Sequence, residues 1–269
     1  KMRDLGVTFQ TDTIVGKTIT YEGLKAQGMD GIFIATGVGV ANYMGIPGED
    51  LKGVYTASEY LAKYNLMSPE ELAEALPSLR GKRVAVIGGG NTAIDAVRTA
   101  IRLDAKQATI VYRRSEEEMP ARAEEIKHAR EEGTEFFNLH NPVEYLGDES
   151  GHVTAMRLER MELGAPDESG RRRPVATGEI ITVPVDEVII CIGYSASTLV
   201  TKSMPELEVN KWGNIVVDEG KKTSMPDVYA GGDIVRGAAT VILAMGDGRR
   251  AATAMHQKLS GRIEEGALV

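Results

Sequence analysis

Val84-Ala85-Val86-Ile87-Gly88-Gly89-Gly90-Asn91-Thr92-Ala93-Ile94-Asp95 is the stretch on which the rest of the chain turns. Its first four residues form a short unbroken apolar run, as a strand covered on both faces of a parallel sheet requires. Three glycines follow at once. Asn91 and Thr92 then open a helix whose apolar positions Ala93, Ile94, Val97 and Ile101 recur at three- and four-residue spacing, so that one face packs on the sheet. A second strand, Ala108 to Tyr112, closes a βαβ unit.

Each small residue has a task in that turn. Gly88 permits the tight bend, Gly90 lets the backbone approach a pyrophosphate, and Ala93 stands where the dinucleotide fingerprint takes Gly or Ala for close helix–strand packing. The helix N-terminus offers unpaired N–H groups and a positive dipole end to phosphates. Glycines also serve ordinary turns, but the strand before, the helix after and the second strand all fit a dinucleotide site.

The end of the second strand narrows the ligand. An NAD site places Asp or Glu about 20 residues beyond the glycines for the ribose 2′-OH, whereas an NADP site uses Arg there. This chain has Tyr112-Arg113-Arg114-Ser115. Two guanidiniums can pair with a 2′-phosphate, and the competing reading is a solvated arginine pair balancing Glu116, Glu117 and Glu118. The planar donor fork of Arg suits phosphate, so NADP is expected over NAD.

A chain of 269 residues with 30 glycines and few aromatics can bury a sizeable core and has room for about two α/β domains. The net charge of −8 argues against a nucleic-acid partner. No apolar run is long enough to span a bilayer, and the first residues lack the pattern of a signal peptide, so a cytoplasmic address and no membrane partner are expected. With Cys191 as the single cysteine there is no Cys-x-x-Cys redox pair, and no iron–sulfur or zinc ligand set is expected.

Read in order, Val7 to Gln10 suggests a strand, Tyr21 to Gln27 a short polar connection, and Gly31 to Ala35 an apolar strand ending in Thr36-Gly37, with no glycine-rich phosphate loop before them. Thr56 can cap a helix through Leu61, and Ser68-Pro69-Glu70-Glu71 opens a second helix ended by Pro77. Beyond Arg114, a helix is expected from Ala121 to Glu132, a strand from Glu135 to Leu139, and an antiparallel ribbon from Val153 to Met161 answered by Ile180 to Val183. The run Arg171-Arg172-Arg173 reads as a solvated loop, since no glycine turn or helix N-terminus supports a phosphate site there.

Asp186-Glu187-Val188-Ile189-Ile190-Cys191-Ile192-Gly193 echoes Asp30 to Gly37, as if the chain leaves one domain, builds another and returns; two ordinary buried strands explain the echo equally well. Cys191 lies inside the apolar run and reads as a core residue. Near the end, Val228-Tyr229-Ala230 is a short strand, Gly231-Gly232-Asp233 a tight turn and Ala238 to Leu259 a long helix, with Val241, Ile242, Ala244, Met245 and Ala252 among its small and apolar positions. Asp233 can accept hydrogen bonds from a sugar-like chain, or serve as a turn or capping residue.

These residues together resemble a known family. Ile87-Gly88-Gly89-Gly90-Asn91-Thr92-Ala93-Ile94-Asp95, Val111-Tyr112-Arg113-Arg114, Ala35-Thr36-Gly37 and Ala230-Gly231-Gly232-Asp233 look like the small (beta) subunit of NADPH-dependent glutamate synthase. Relatives of that subunit include the large subunit of NADH-dependent ferredoxin:NADP oxidoreductase and the flavin domains of dihydropyrimidine dehydrogenase. The resemblance implies an α/β fold in which a Rossmann-like NADP-binding domain is inserted into an incomplete FAD-binding Rossmann-like domain, in a flavoprotein of two dinucleotide-binding domains. The expected divisions are 1–50 as a remnant of the FAD-binding domain, 51–190 as the NADP-binding domain and 191–269 as the C-terminal part of the FAD-binding domain.

The resemblance also assigns residues. Gly88, Gly89, Gly90, Asn91, Thr92 and Ala93 would hold the NADP pyrophosphate and Arg113 and Arg114 its 2′-phosphate; Asp233 would bind the FAD ribityl chain, and Ala239, Thr240 and Val241 would lie by the flavin pyrimidine edge. Thr36, Gly37, Gly193 and Gly232 join the cofactor-binding positions, and no side chain need act as catalytic acid or base. The family begins with an iron–sulfur region and an FAD glycine loop; neither is present here, so the chain is expected to be the C-terminal portion of a longer protein, with weakened FAD retention.

The expected activity is electron input, with hydride passing from NADPH to FAD and on to a large glutamate synthase-type or other electron-accepting subunit. The alternatives are a non-catalytic NADP-binding fragment of a larger reductase, or the corresponding part of a ferredoxin:NADP oxidoreductase. A thioredoxin-reductase-like activity is disfavoured by the missing cysteine pair.

Overall fold

The computed structural model describes residues 1–68, 70–71, 78–168 and 170–261. The chain divides into two units, Lys1–Val40 with Tyr194–Val269, and Ala41–Gly193. The sequence reading put the crossings near residues 50 and 190.

The first unit opens without the strand expected at Val7 to Gln10; no regular element forms there. Helix α1 spans Tyr21–Ala26, where the sequence suggested a polar connection. The reason is local: the Thr20 hydroxyl accepts from the Gly23 N–H at 3.1 Å, a side-chain cap that starts a helix even with glycine inside it. Strand β1, Ile32–Ile34, follows.

The second unit begins with β2, Val54–Thr56, and α2, Ala57–Leu66. The Thr56 side chain caps α2 by accepting from Glu59 N, and the helix runs a turn past the expected Leu61. Removing that cap with Thr56→Ala should lower stability by about 1 kcal/mol in chemical denaturation, with an unchanged dependence on denaturant. Ser68 and Glu71 form the reciprocal capping pair of the next segment (Ser68 N to Glu71 Oε2, 2.9 Å; Glu71 N to Ser68 Oγ, 3.3 Å). The expected helix stop at Pro77 lies outside the described residues.

The decisive stretch folds as β3, Arg83–Ile87, and α3, Asn91–Arg102, followed by β4, Gln107–Tyr112. Ala93, Ile94, Ala96, Val97 and Ala100 are fully buried, so α3 lays one face on the sheet. Next come α4, Ala123–Glu131, and β5, Glu135–Asn138. The antiparallel ribbon has three strands rather than two: β6, His140–Gly147, β7, Val153–Pro166, and β8, Arg172–Pro184. Strand β9, Glu187–Ile190, then enters the main sheet, whose order is β2-β9-β3-β4-β5 with every neighbour parallel.

The echoing segments therefore lie in different sheets. Asp186 to Gly193 belongs to the sheet that carries the glycine turn, with Asp186 clamped by Arg83 (Nε to Oδ2 2.9 Å, Nη2 to Oδ1 2.7 Å), which lowers the Asp186 carboxyl to about 2.

The chain then returns to the first unit with α5, Thr198–Ser203, and β10, Val228–Ala230, which pairs in parallel with β1 in the register Ile34↔Ala230. Helices α6, Asp233–Arg236, and α7, Val241–Leu259, complete it. Of the apolar positions of α7, Val241 is 75%, Ile242 80% and Met245 65% accessible, while Asp247 and Ala251 are the buried positions.

Candidate functional site

In the second unit the glycine turn sits at the carboxyl end of β3, between β9 and β4. Gly88 has φ +143°, and a Cβ there would strike the Cys191 carbonyl on the next strand. A Cβ on Gly89 would meet the Tyr112 ring at 2.7 Å. Gly90 differs: nothing lies within 4 Å of its Cβ direction, so a ligand can reach the backbone. Ala93, fully buried, lets α3 lie close on the sheet.

The hydrogen bonds leave this turn ready for an anion. Gly88 N donates to Val111 O at 3.0 Å, and Ala93 N and Ile94 N donate to Gly90 O at 2.9 and 3.2 Å. Between them, the N–H groups of Gly89, Gly90, Asn91 and Thr92 donate to no acceptor among the described residues. Such groups at the start of a twelve-residue helix are able to receive an anion. Asn91 has a second use: its Oδ1 accepts from Arg122 N at 2.9 Å, and Ala121 N donates to Gly89 O at 3.1 Å, so the segment after β4 is tied back onto the turn.

The two arginines at the end of β4 separate. Arg113 is exposed and forms no hydrogen bond or ion pair with another described residue. Arg114 is buried, its Nη2 on Asp167 at 2.7 Å and its Nε donating to Arg172 O at 2.8 Å. Arg172 in turn bonds Glu118 at 2.5 Å and Glu117 at 3.0 Å. The reading of Arg171-Arg172-Arg173 as a solvated run is corrected at Arg172, which anchors the ribbon to the loop after β4. Burial disfavours the charged Glu118 carboxylate, but the Ser115 hydroxyl and Arg172 outweigh it and bring its pKa below the ordinary value.

In the first unit the segments after β1 and β10 leave from paired parallel strands, so Thr36-Gly37 and Gly232-Asp233 stand at the same sheet end. Gly37 has φ +66° and open space around it. Gly232, at φ +75°, is held by Asp247, whose Oδ2 accepts from Gly232 N at 3.1 Å. Asp233 Oδ1 accepts from Ala239 N at 3.2 Å, the capping use that the sequence left open beside sugar binding. Ala239, Thr240 and Val241 are exposed. Gly193 is the last residue of the second unit.

Asp247 is the residue the sequence reading missed. It is fully buried and contacts Arg236 (Nε to Oδ2 2.6 Å, Nη2 to Oδ1 2.7 Å) and Lys221 (3.0 Å). Its carboxyl is held well below the usual range, chiefly by the Arg236 hydrogen bonds, against the effect of burial. A lone acid between Gly246 and Gly248, the one carboxylate of the helix, was the available signal.

A parallel sheet with an unpaired N–H row at its glycine turn defines a dinucleotide-binding α/β protein. Residues 3–256 match the family described as pyridine nucleotide-disulphide oxidoreductase, and the chain belongs to that family. It is 42% identical over 262 residues to the NADP(+)-dependent formate dehydrogenase subunit beta of Moorella thermoacetica, covering 96% of this chain and 36% of that protein. It is 38% identical over 257 residues to the glutamate synthase [NADPH] small chain of Escherichia coli (strain K12), covering 92% of this chain and 54% of that one. The chain thus spans about half or less of the length of these curated relatives.

Among solved structures, Mycobacterium tuberculosis FprA in complex with NADPH superposes with a TM-score of 0.76 at 22% identity, over 95% of this chain and 69% of that one, a likeness of fold. No described helix is long and apolar enough to cross a membrane.

Proposed function

We propose that this chain is the NADPH-binding module, with part of the flavin seat, of an electron-input flavoprotein oxidoreductase of the glutamate synthase small-subunit type. The observation that carries the reading is the row of four unpaired N–H groups from Gly89 to Thr92 with the uncompensated Arg113 at the end of the neighbouring strand. The N–H row and the helix dipole bind the pyrophosphate, while Gly90 admits it to the backbone. Arg113 selects the 2′-phosphate. Arg114, which the sequence put on the same phosphate, braces the loop through Asp167 and the Arg172 carbonyl.

FAD would supply the redox chemistry between NADPH and a larger electron-accepting partner subunit. Toward it this chain contributes Asp233 for the ribityl chain, the Thr36-Gly37 and Gly232 turns that flank it, and the exposed start of α7, whose N-terminal N–H groups suit an electron-rich ring edge. Gly193 is proposed as a cofactor-binding position of the second unit. These residues fit the flavin half of the cofactor. In the first unit the strand, glycine turn and helix that follow one another, β10, Gly231-Gly232 and α6, end in a helix of only four residues, and the second reading is an NADP-binding fragment that holds no flavin by itself.

Titration calorimetry tests the nucleotide reading. NADPH should bind at least about tenfold more tightly than NADH, and Arg113→Ala should bring the two together, a loss of about 1.4 kcal/mol or more confined to NADPH. Equal binding of both by the unaltered chain refutes it. A visible spectrum after incubation with FAD and removal of excess separates the flavoprotein from the fragment: one flavin per chain supports the first, none with NADPH still binding supports the second.

A further inference from the structure

The loop after β4, from Arg113 to Arg122, carries three arginines and three glutamates, and the fold pairs them unequally. Glu116 pairs with Arg130, Glu117 with Arg172, and Glu118 with Arg172 and Ser115. Every carboxylate of the acidic run is thereby paired with an arginine from outside the loop, Arg172 serving two of them. Arg114 is neutralised by Asp167. The cations left over are the loop's two ends, Arg113 and Arg122.

Arg122 is exposed, and its side chain forms no hydrogen bond or ion pair with another described residue. Its backbone is fixed all the same. Arg122 N is bound to the Asn91 side chain at 2.9 Å and Ala121 N to Gly89 O at 3.1 Å, so its Cα is pinned beside the unpaired N–H row. Tyr112 secures the loop between its ends, its ring under Gly89 and its hydroxyl donating to Glu118 O at 2.9 Å. A long cation rooted at a fixed point next to a phosphate seat, with no carboxylate to satisfy it, is placed to close on an anion.

We infer that Arg122 is a second phosphate ligand of the bound dinucleotide, acting with Arg113 as a clamp whose two jaws are the ends of one loop, while Arg114, Glu118 and Arg172 hold that loop in shape. The inference rests on the NADPH-binding reading above. The contact is to a phosphate oxygen, either of the 2′-phosphate or of the pyrophosphate, and comparison of NADPH with NADH tells the two apart.

The test is calorimetric titration of NADPH, NADH and 2′,5′-ADP into the unaltered chain, Arg122→Ala and Arg122→Lys, with thermal unfolding of each. Arg122→Ala should weaken NADPH about tenfold at an unchanged melting temperature, and Arg122→Lys should recover part of the loss. Weakening of NADPH and 2′,5′-ADP with NADH unaffected places Arg122 on the 2′-phosphate; equal weakening of NADPH and NADH places it on the pyrophosphate. Unchanged affinities in Arg122→Ala overturn the inference and leave the NADPH reading standing. Failure of the unaltered chain to bind either dinucleotide overturns both.

Discussion

Asp247→Ala should lower the stability of the first unit by about 3 kcal/mol, the lower end of the range for removing one partner of a buried ion pair. The carboxylate is fully buried, bonds Arg236 through both oxygens, accepts from the Gly232 backbone and faces Lys221. Without it the Gly232 N–H is buried and unpaired, itself worth about 1–3 kcal/mol, and the remaining cations repel one another. The melting temperature should fall by roughly 10 °C in calorimetry. Because the folded carboxyl titrates below its unfolded value, its contribution is present above the ordinary carboxylate range and is lost as pH falls from that range down through the lowered folded value. The unaltered chain should therefore lose stability on acidification more steeply than Asp247→Ala; parallel pH profiles would contradict this.

The second large effect separates binding from folding within one turn. Gly90→Val should leave the chain folded yet weaken NADPH more than about 100-fold, or about 2.7 kcal/mol. Gly90 has an extended backbone, φ −89° and ψ 174°, and nothing within 4 Å of an added Cβ, so the new side chain starts in open space, where a pyrophosphate would approach. Gly88→Ala supplies the contrast, since its Cβ collides with the Cys191 backbone at positive φ and the fold itself gives way. Circular dichroism with titration calorimetry reads both variants. Tight NADPH binding by Gly90→Val would show that the phosphate lies elsewhere.

What could be read from the sequence was local. The apolar run of β3, the glycines, and the spacing of Ala93, Ile94 and Val97 carry their own geometry, and the βαβ unit follows from them. Val228 to Ala230 was legible for the same reason. The misses fall where the partner lies far along the chain or where side-chain capping outranks composition. Tyr21 to Ala26 looked polar and unstructured until the Thr20 cap is counted. The Arg113-Arg114 pair reads as a unit, but Asp167 lies 53 residues away and takes one of the two. Arg172 reads as solvated because Glu118, 54 positions earlier, is invisible to any local pattern. Asp247 went unread because its partners Lys221, Gly232 and Arg236 lie on other elements, and no local pattern in α7 shows that it holds the turn.

The ribbon's grip on the loop after β4 has a consequence for the order of assembly. Strands β3 and β4 with helix α3 can meet through short-range contacts soon after their residues are available. The loop that ends β4 obtains its fixed shape only when the tip of the hairpin formed by β7 and β8 arrives, because Asp167 and Arg172 supply the bonds to Arg114 and the acidic run across separations of 53 to 58 residues. Closing so long a loop is slow compared with forming local turns. Under the proposed function, the phosphate seat would be an early product of folding and the preference for NADPH a late one. A nascent or partly unfolded chain would pass through a stage that recognises a dinucleotide without distinguishing which.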